Sequence, residues 1–154
     1  LSFKDRPSEF FTIYHRNPIE AIKALWGDPA LAKHLVYKPE VLPVGGTLAP
    51  VIIASDKTRL TQFSGNKSAY PVYLTIGNLP KSLRRKPSAR ACVLIAYLSV
   101  DKPSDVRNYE LFHRSMATIL EPLKAAGKPN GPGVEMVGGN GAVRRVYPIL
   151  STYV

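Results

Sequence analysis

TLAPVIIASDKTRLTQFSGNKSAYPVYLTIGNLPKSLRRK, running from Thr47 to Lys86, carries an apolar strand, a polar loop, a returning strand and a basic segment in that order. VIIAS is a continuous apolar run, which predicts a strand buried on both faces and delivers Asp56 to its end. VYLTIG alternates Val72, Leu74 and Ile76 against Tyr73, Thr75 and Gly77, the period of a half-buried strand. The intervening FSGNKSAYP is longer than a two-residue hairpin turn, so the loop after Asp56 is expected to be exposed, and functional or mobile. A third aliphatic run, from about Ala91 to Val100, predicts a third strand in succession.

Upstream, the chain reads as two short helices. Asn17-Pro18-Ile19-Glu20 places a capping Asn, a first-position Pro and a Glu three residues on, a capping-box arrangement for a helix to about Trp26 with Ile22, Leu25 and Trp26 on its core face. Asp28-Pro29 repeats the signal, and ALAKHLVY is expected to be helical up to Pro39. From Glu40 to Gly46, Pro43, Gly45 and Gly46 mark a loop. Downstream, Ser104 is a candidate cap. Tyr109, Phe112, Met116, Ile119, Leu120 and Leu123 recur at helical spacing as a core stripe, Pro122 is expected to kink or end the helix, and Gly127 to terminate it. A short GVEMV strand, a turn at GGNG and a last strand from about Val143 complete the chain. No internal repeat or low-complexity segment interrupts it.

At 154 residues the prior is one domain with a sizeable core, and a 45% hydrophobic fraction suits a globular fold. No run approaches the roughly 18 to 20 apolar residues that span a bilayer, and LSFKDRPSEF has no apolar h-region, so nothing directs secretion. A Leu start and a β-like end at STYV are what is expected of an excerpt or a truncated product. Cys92, the single cysteine, excludes an intramolecular disulfide and a cysteine metal cluster; within ACVLIAYL it reads as a buried strand residue in a reducing compartment. The net charge is +10. Residues 81–90 hold Lys81, Arg84, Arg85, Lys86 and Arg90 with no acid, at or beside a connection between strands, and this basic run is the candidate polyanion contact.

The strand-strand-strand-helix-strand order is that of the ribonuclease-H-like fold. A more specific likeness lies in particular residues: Ala54-Ser55-Asp56-Lys57-Thr58, Phe63-Ser64-Gly65, the block from Pro71 to Pro80 (PVYLTIGNLP), Arg84-Arg85-Lys86-Pro87-Ser88, Val93 to Leu98, and Arg144-Arg145-Val146-Tyr147-Pro148-Ile149-Leu150. Together they resemble Plavaka-type transposases of fungal DNA transposons, in the CACTA-like group, over most of the chain from Leu42 onward. The resemblance implies an α/β (α+β) architecture: an N-terminal helical segment over 1–41, then a partial ribonuclease-H-like core over 42–154 whose mixed sheet is incomplete at the C-terminus. It implies cut-and-paste transposition in the intact protein, by metal-dependent DNA cleavage and strand transfer in the nucleus. DNA is then the partner, no membrane is involved, and self-association stays open.

Two Mg²⁺ (or Mn²⁺) ions about 3.5–4 Å apart activate the attacking oxygen and stabilise the leaving one in such chemistry, and they need several carboxylates. The resemblance implies that Asp56 is the first of three acids, catalytic and metal-binding, with the second on the strand that ends at Val154 and the third further on. One aspartate does not hold two ions, so this chain is expected to be inactive and to bind no metal stably. Asn140, where relatives show Asp, reads as a turn residue, and Glu135 as a remote surrogate acid. Taken alone, Asp56 reads as a turn residue after a strand. His15, His34 and His113 are too dispersed for a zinc motif, and no P-loop, Rossmann glycine pattern, HExxH or G-x-S-x-G occurs. The alternative is a non-enzymatic basic domain, a remnant or a co-opted DNA binder, with Asp56 idle.

Overall fold

The computed structural model describes residues 1–37, 46–59, 68–100 and 105–154. The expected loop over 40–45, most of the loop after Asp56, and the Ser104 cap lie outside the described residues. In chain order the elements are β1 (Tyr14–His15), α1 (Pro18–Gly27), α2 (Pro29–Ala32), β2 (Gly46–Ser55), β3 (Thr58–Arg59), β4 (Ser68–Ala69), β5 (Pro71–Ile76), α3 (Lys81–Arg84), a 3₁₀ turn (Pro87–Ala89), β6 (Val93–Tyr97), α4 (Asp105–Ala126), β7 (Val134–Val137) and β8 (Val143–Tyr153).

Asn17 starts α1 as expected, its Oδ1 accepting from the Ile19 N–H at 2.9 Å with Pro18 at the first helical position. Glu20 does not reach back to close a capping box; it pairs with Lys23 at 3.1 Å. Asp28 caps α2 in the same way, accepting from Ala30 N–H at 2.8 Å. That second helix is one turn long, far short of the predicted ALAKHLVY. Tertiary hydrogen bonds explain the difference: the Val36 N–H donates to the Asn78 carbonyl at 3.0 Å, and the Asn78 amide donates to the carbonyls of Val36 and Leu48, each at 3.0 Å. A backbone engaged with Asn78 cannot also continue an i to i−4 ladder.

Six strands form one mixed sheet in the order β1-β6-β5-β2-β8-β7, and β3 and β4 make a separate two-stranded ladder. β2, β5 and β6 are an antiparallel meander, with Ile53 opposite Leu74 and Val72 opposite Ala96. α4 then leads to the β7–β8 hairpin, whose second strand lies parallel to β2, with Val51 beside Leu150. α1 packs on β5, β6, β7 and α4, and α4 on β8, so both long helices cover one face of the sheet. Ile22, Trp26, Val51, Ile53, Leu74, Ile76, Ile119 and Val146 make up the heart of that core.

Two expectations are corrected here and a third is narrowed. β2 is not buried on both faces: Val51 and Ile53 are buried while Ile52 and Ala54 are only half-buried, because the helices lie on one side. Of the two outcomes expected of Pro122, a kink or an end, the end is excluded: α4 continues to Ala126 before the Gly127 N–H closes on the Leu123 carbonyl at 2.9 Å. Cys92 is exposed, since β6 begins one residue after it.

Candidate functional site at the carboxyl end of the parallel pair

Parallel strands that run side by side finish on the same edge, and β2 and β8 finish together. The Val154 N–H donates to the Ile53 carbonyl at 2.8 Å and the Ser55 N–H to the Val154 carbonyl at 3.2 Å, so the ends of the two strands are tied to one another. β6 also ends here and β5 begins here, since Pro71 lies opposite Tyr97 and Val72 opposite Ser55. Asp56 follows β2 directly and is exposed at this edge. Sheet edges of this kind, outside the carboxyl ends of parallel strands, are where α/β folds place ligands.

Beside Asp56 opens a cavity of about 490 Å³ whose lining includes Lys57, Tyr70, Asn108, Tyr109, Phe112 and Tyr153. Four elements contribute: Lys57 comes from the exit of β2, Tyr70 from the entry to β5, Tyr153 from the end of β8, and the other three from the first half of α4. Tyr70 stacks on Phe112 with ring centroids 5.9 Å apart and planes inclined by 26°, and Phe112 meets Tyr153 edge-on at 5.9 Å. The Ser55 and Tyr153 hydroxyls hydrogen-bond to one another. Burial pushes the Tyr70 phenol above its ordinary range, Tyr153 and Asp56 add to the rise, and a hydrogen bond with Ser55 opposes it. Tyr109, expected in the core stripe of α4, is instead 72% exposed at the cavity mouth.

The basic run lies at the other end of the sheet. β5 runs antiparallel to β2, so the β5–β6 connection that carries residues 81–90 emerges beyond Ile76, on the side where β2 enters. Lys81, Arg85, Lys86 and Arg90 are exposed there; Arg84 is half-buried, its Nε donating to the Leu79 carbonyl at 3.0 Å. Glu135 on β7 pairs with Arg145 near the start of β8, again the end away from Asp56, so it cannot supplement that carboxylate. Asn140 is the turn residue it was read to be, its Oδ1 accepting from the Ala142 N–H at 3.1 Å. Among the described residues no three His, Cys, Asp or Glu come together to hold a metal ion. No described helix is long and apolar enough to cross a membrane.

Sequence reasoning reached Asp56 and the basic run but passed over the aromatic cavity, whose rings are spread from Tyr70 to Tyr153 and carry no local motif. Eight tyrosines in 154 residues were the one available signal.

Fold and site define a mixed α/β domain with a carboxylate and an aromatic cavity at the carboxyl end of its parallel strand pair and a cationic segment at the opposite end. Residues 41–154 match the family model of the Plavaka transposase, and the chain belongs to that family. α1, which precedes the match, packs into the same core. No curated protein matches the chain.

Proposed function

We propose that this chain is the DNA-handling part of a cut-and-paste transposase core of ribonuclease-H-like design, acting in a fungal nucleus, with Asp56 as the first acid of its metal-binding set. The position of Asp56 carries the reading: it follows the central strand β2 and stands beside the carboxyl end of β8, where the family resemblance assigns the second acid. The β6-β5-β2-β8 order, an antiparallel meander followed through α4 by a parallel strand, supports the fold; β7 adds an antiparallel strand outside it.

The described residues do not by themselves fit a two-ion centre. A Mg²⁺ or Mn²⁺ ion bound beside Asp56 would supply electrophilic stabilisation of the reacting phosphate. This chain's own residues contribute one carboxylate, an aromatic wall and, at the far pole, cations for phosphates. The absence of an acid cluster among the described residues favours a second reading for the chain taken alone, a basic DNA-binding domain in which Asp56 is idle. Incubating the chain with Mg²⁺ or Mn²⁺ and supercoiled plasmid separates chemistry from binding. The expected result is retarded but intact plasmid. Nicking that disappears in Asp56→Asn would show that a complete acid set is present in these residues. No retardation at low salt would remove the DNA-handling reading itself.

A further inference from the structure

A cavity walled by aromatic rings and bordered by the Lys57 ammonium suits a flat ligand that carries a phosphate. Tyr70 and Phe112, stacked and half-buried, form its inner wall, while Tyr153, edge-on to Phe112 and 48% exposed, and Tyr109 stand at its mouth. Among the described residues neither the Lys57 ammonium nor the Asn108 amide takes part in a hydrogen bond or ion pair, so both remain available to a ligand. An amide offers one donor edge and one acceptor, the complement of a heterocycle's hydrogen-bonding edge, and an ammonium suits a phosphate. At about 490 Å³ the volume falls within the range of small-molecule sites.

The cavity continues past Leu98 and Val100 into a second depression lined by Tyr14, Ser68 and Tyr97, with Tyr70 shared between them. Tyr14 and Tyr97 are cross-strand partners on β1 and β6, 70% and 43% exposed. A row of exposed rings leading to a deeper aromatic pocket suits successive bases of one strand better than it suits a single free nucleotide, because stacking on aromatic faces is sequence-tolerant and repeats along the strand.

We propose that the cavity beside Asp56 receives a nucleobase displaced from a DNA strand, stacked against Tyr109 and the Tyr70–Phe112 wall, with Asn108 at its edge, Lys57 on its phosphate, and the flanking unpaired bases on Tyr14 and Tyr97. This rests on the DNA-handling reading and adds a binding mode to it: the strand is held here by stacking, apart from the cationic pole at the other end of the sheet. Single-stranded DNA enters more readily than duplex, because no pairing has to be broken to free the base.

Binding of a short fluorescent single strand and of its duplex, measured by anisotropy on the whole chain, tests the proposal. The wild-type chain binds the single strand more tightly. Tyr109→Ala, which removes a ring from the surface and leaves the core intact, weakens single-strand binding about tenfold and duplex binding by less than twofold, and Tyr109→Phe restores the difference. Photocrosslinking with 5-iodouracil in the single strand labels Tyr109, Tyr70 or Tyr14. Equal single-strand affinity in Tyr109→Ala, or crosslinks confined to residues 81–90, overturns the proposal. Competition by dAMP at an affinity matching the strand's overturns it in favour of a free nucleotide. Duplex binding without single-strand preference sinks this inference alone, whereas failure to bind either form sinks the DNA-handling reading as well.

Discussion

Asn78 shows what the most recognisable block of the sequence, PVYLTIGNLP, is for. Its amide ties together the exit of α2, through the Val36 carbonyl, and β2, through the Leu48 carbonyl, while the preceding Gly77 donates its N–H to the Pro50 carbonyl at 2.6 Å. A Cβ on Gly77 would stand 3.1 Å from the Cβ of Pro50, so any side chain there would press on Pro50, which would have to give by a few tenths of an ångström. Thr75 adds a buried bond from its Oγ1 to the Ala91 carbonyl at 2.6 Å. The block is a clamp rather than a catalytic element. Asn78→Ala, which strands two carbonyls, is expected to cost about 2 to 3 kcal/mol in urea unfolding while leaving DNA binding per folded molecule unchanged. A loss of under half a kcal/mol would show that water replaces the amide. Tyr70 gives a pH test at the same scale. Its pKa is raised in the folded state, so its contribution is fully present below the ordinary value of 10.0 and is lost as pH climbs through the folded value. Stability should therefore fall more steeply above pH 10 in the wild type than in Tyr70→Phe, as read from melting temperatures across an alkaline series. Identity made the block visible in the sequence. Its purpose was not visible, because the partners of Asn78 lie 30 and 42 residues away.

Among the elements, the strands were the most legible and the helix faces the least. β2, β5 and the β7–β8 hairpin follow from apolar runs and turn residues, and α1 from the Asn17-Pro18 cap. The second helix and the burial of β2 went astray for one reason: both depend on what lies across the fold, Asn78 in one case and the one-sided helical layer in the other. α4 shows the same limit, since the spacing that includes Tyr109 and Phe112 reads as one continuous core stripe. Only its later part, Met116, Ile119 and Leu123, is buried against the sheet, and Tyr109 projects past the strand ends to the cavity mouth. Pro122 is carried inside α4 although it lacks an N–H for the ladder. Pro122→Ala should restore one helical bond and raise stability by roughly 1 to 3 kcal/mol, measured as a higher melting temperature. A lower one would mean that the proline's packing next to Leu123 outweighs the missing bond.

Viewed as a whole, the molecule separates Asp56 from the basic run of residues 81–90. Asp56 and the aromatic cavity stand at one end of the sheet, the 81–90 run at the other, so a duplex held by that run does not by the same contacts lie on Asp56. The sequence could not show this, because Asp56 and Lys81 share one continuous stretch and only the return of β5 carries the basic segment away. Duplex binding at the cationic pole has a definite electrostatic signature: each phosphate neutralised releases condensed counterions and contributes a slope of about −0.9 in log K against log salt. Arg85, Lys86 and Arg90 are exposed and able to make such contacts, whereas Arg84 is half-buried with its Nε committed to the Leu79 carbonyl. Each of Arg85→Ala, Lys86→Ala and Arg90→Ala should therefore reduce the slope by about one unit. Arg84→Ala should change it less and instead lower stability through the lost backbone bond. A salt series on the four single variants separates these effects. Equal slopes in all four and in the wild type would make the basic run an ordinary solvated surface, and duplex binding would then have to rest on other cations of the chain.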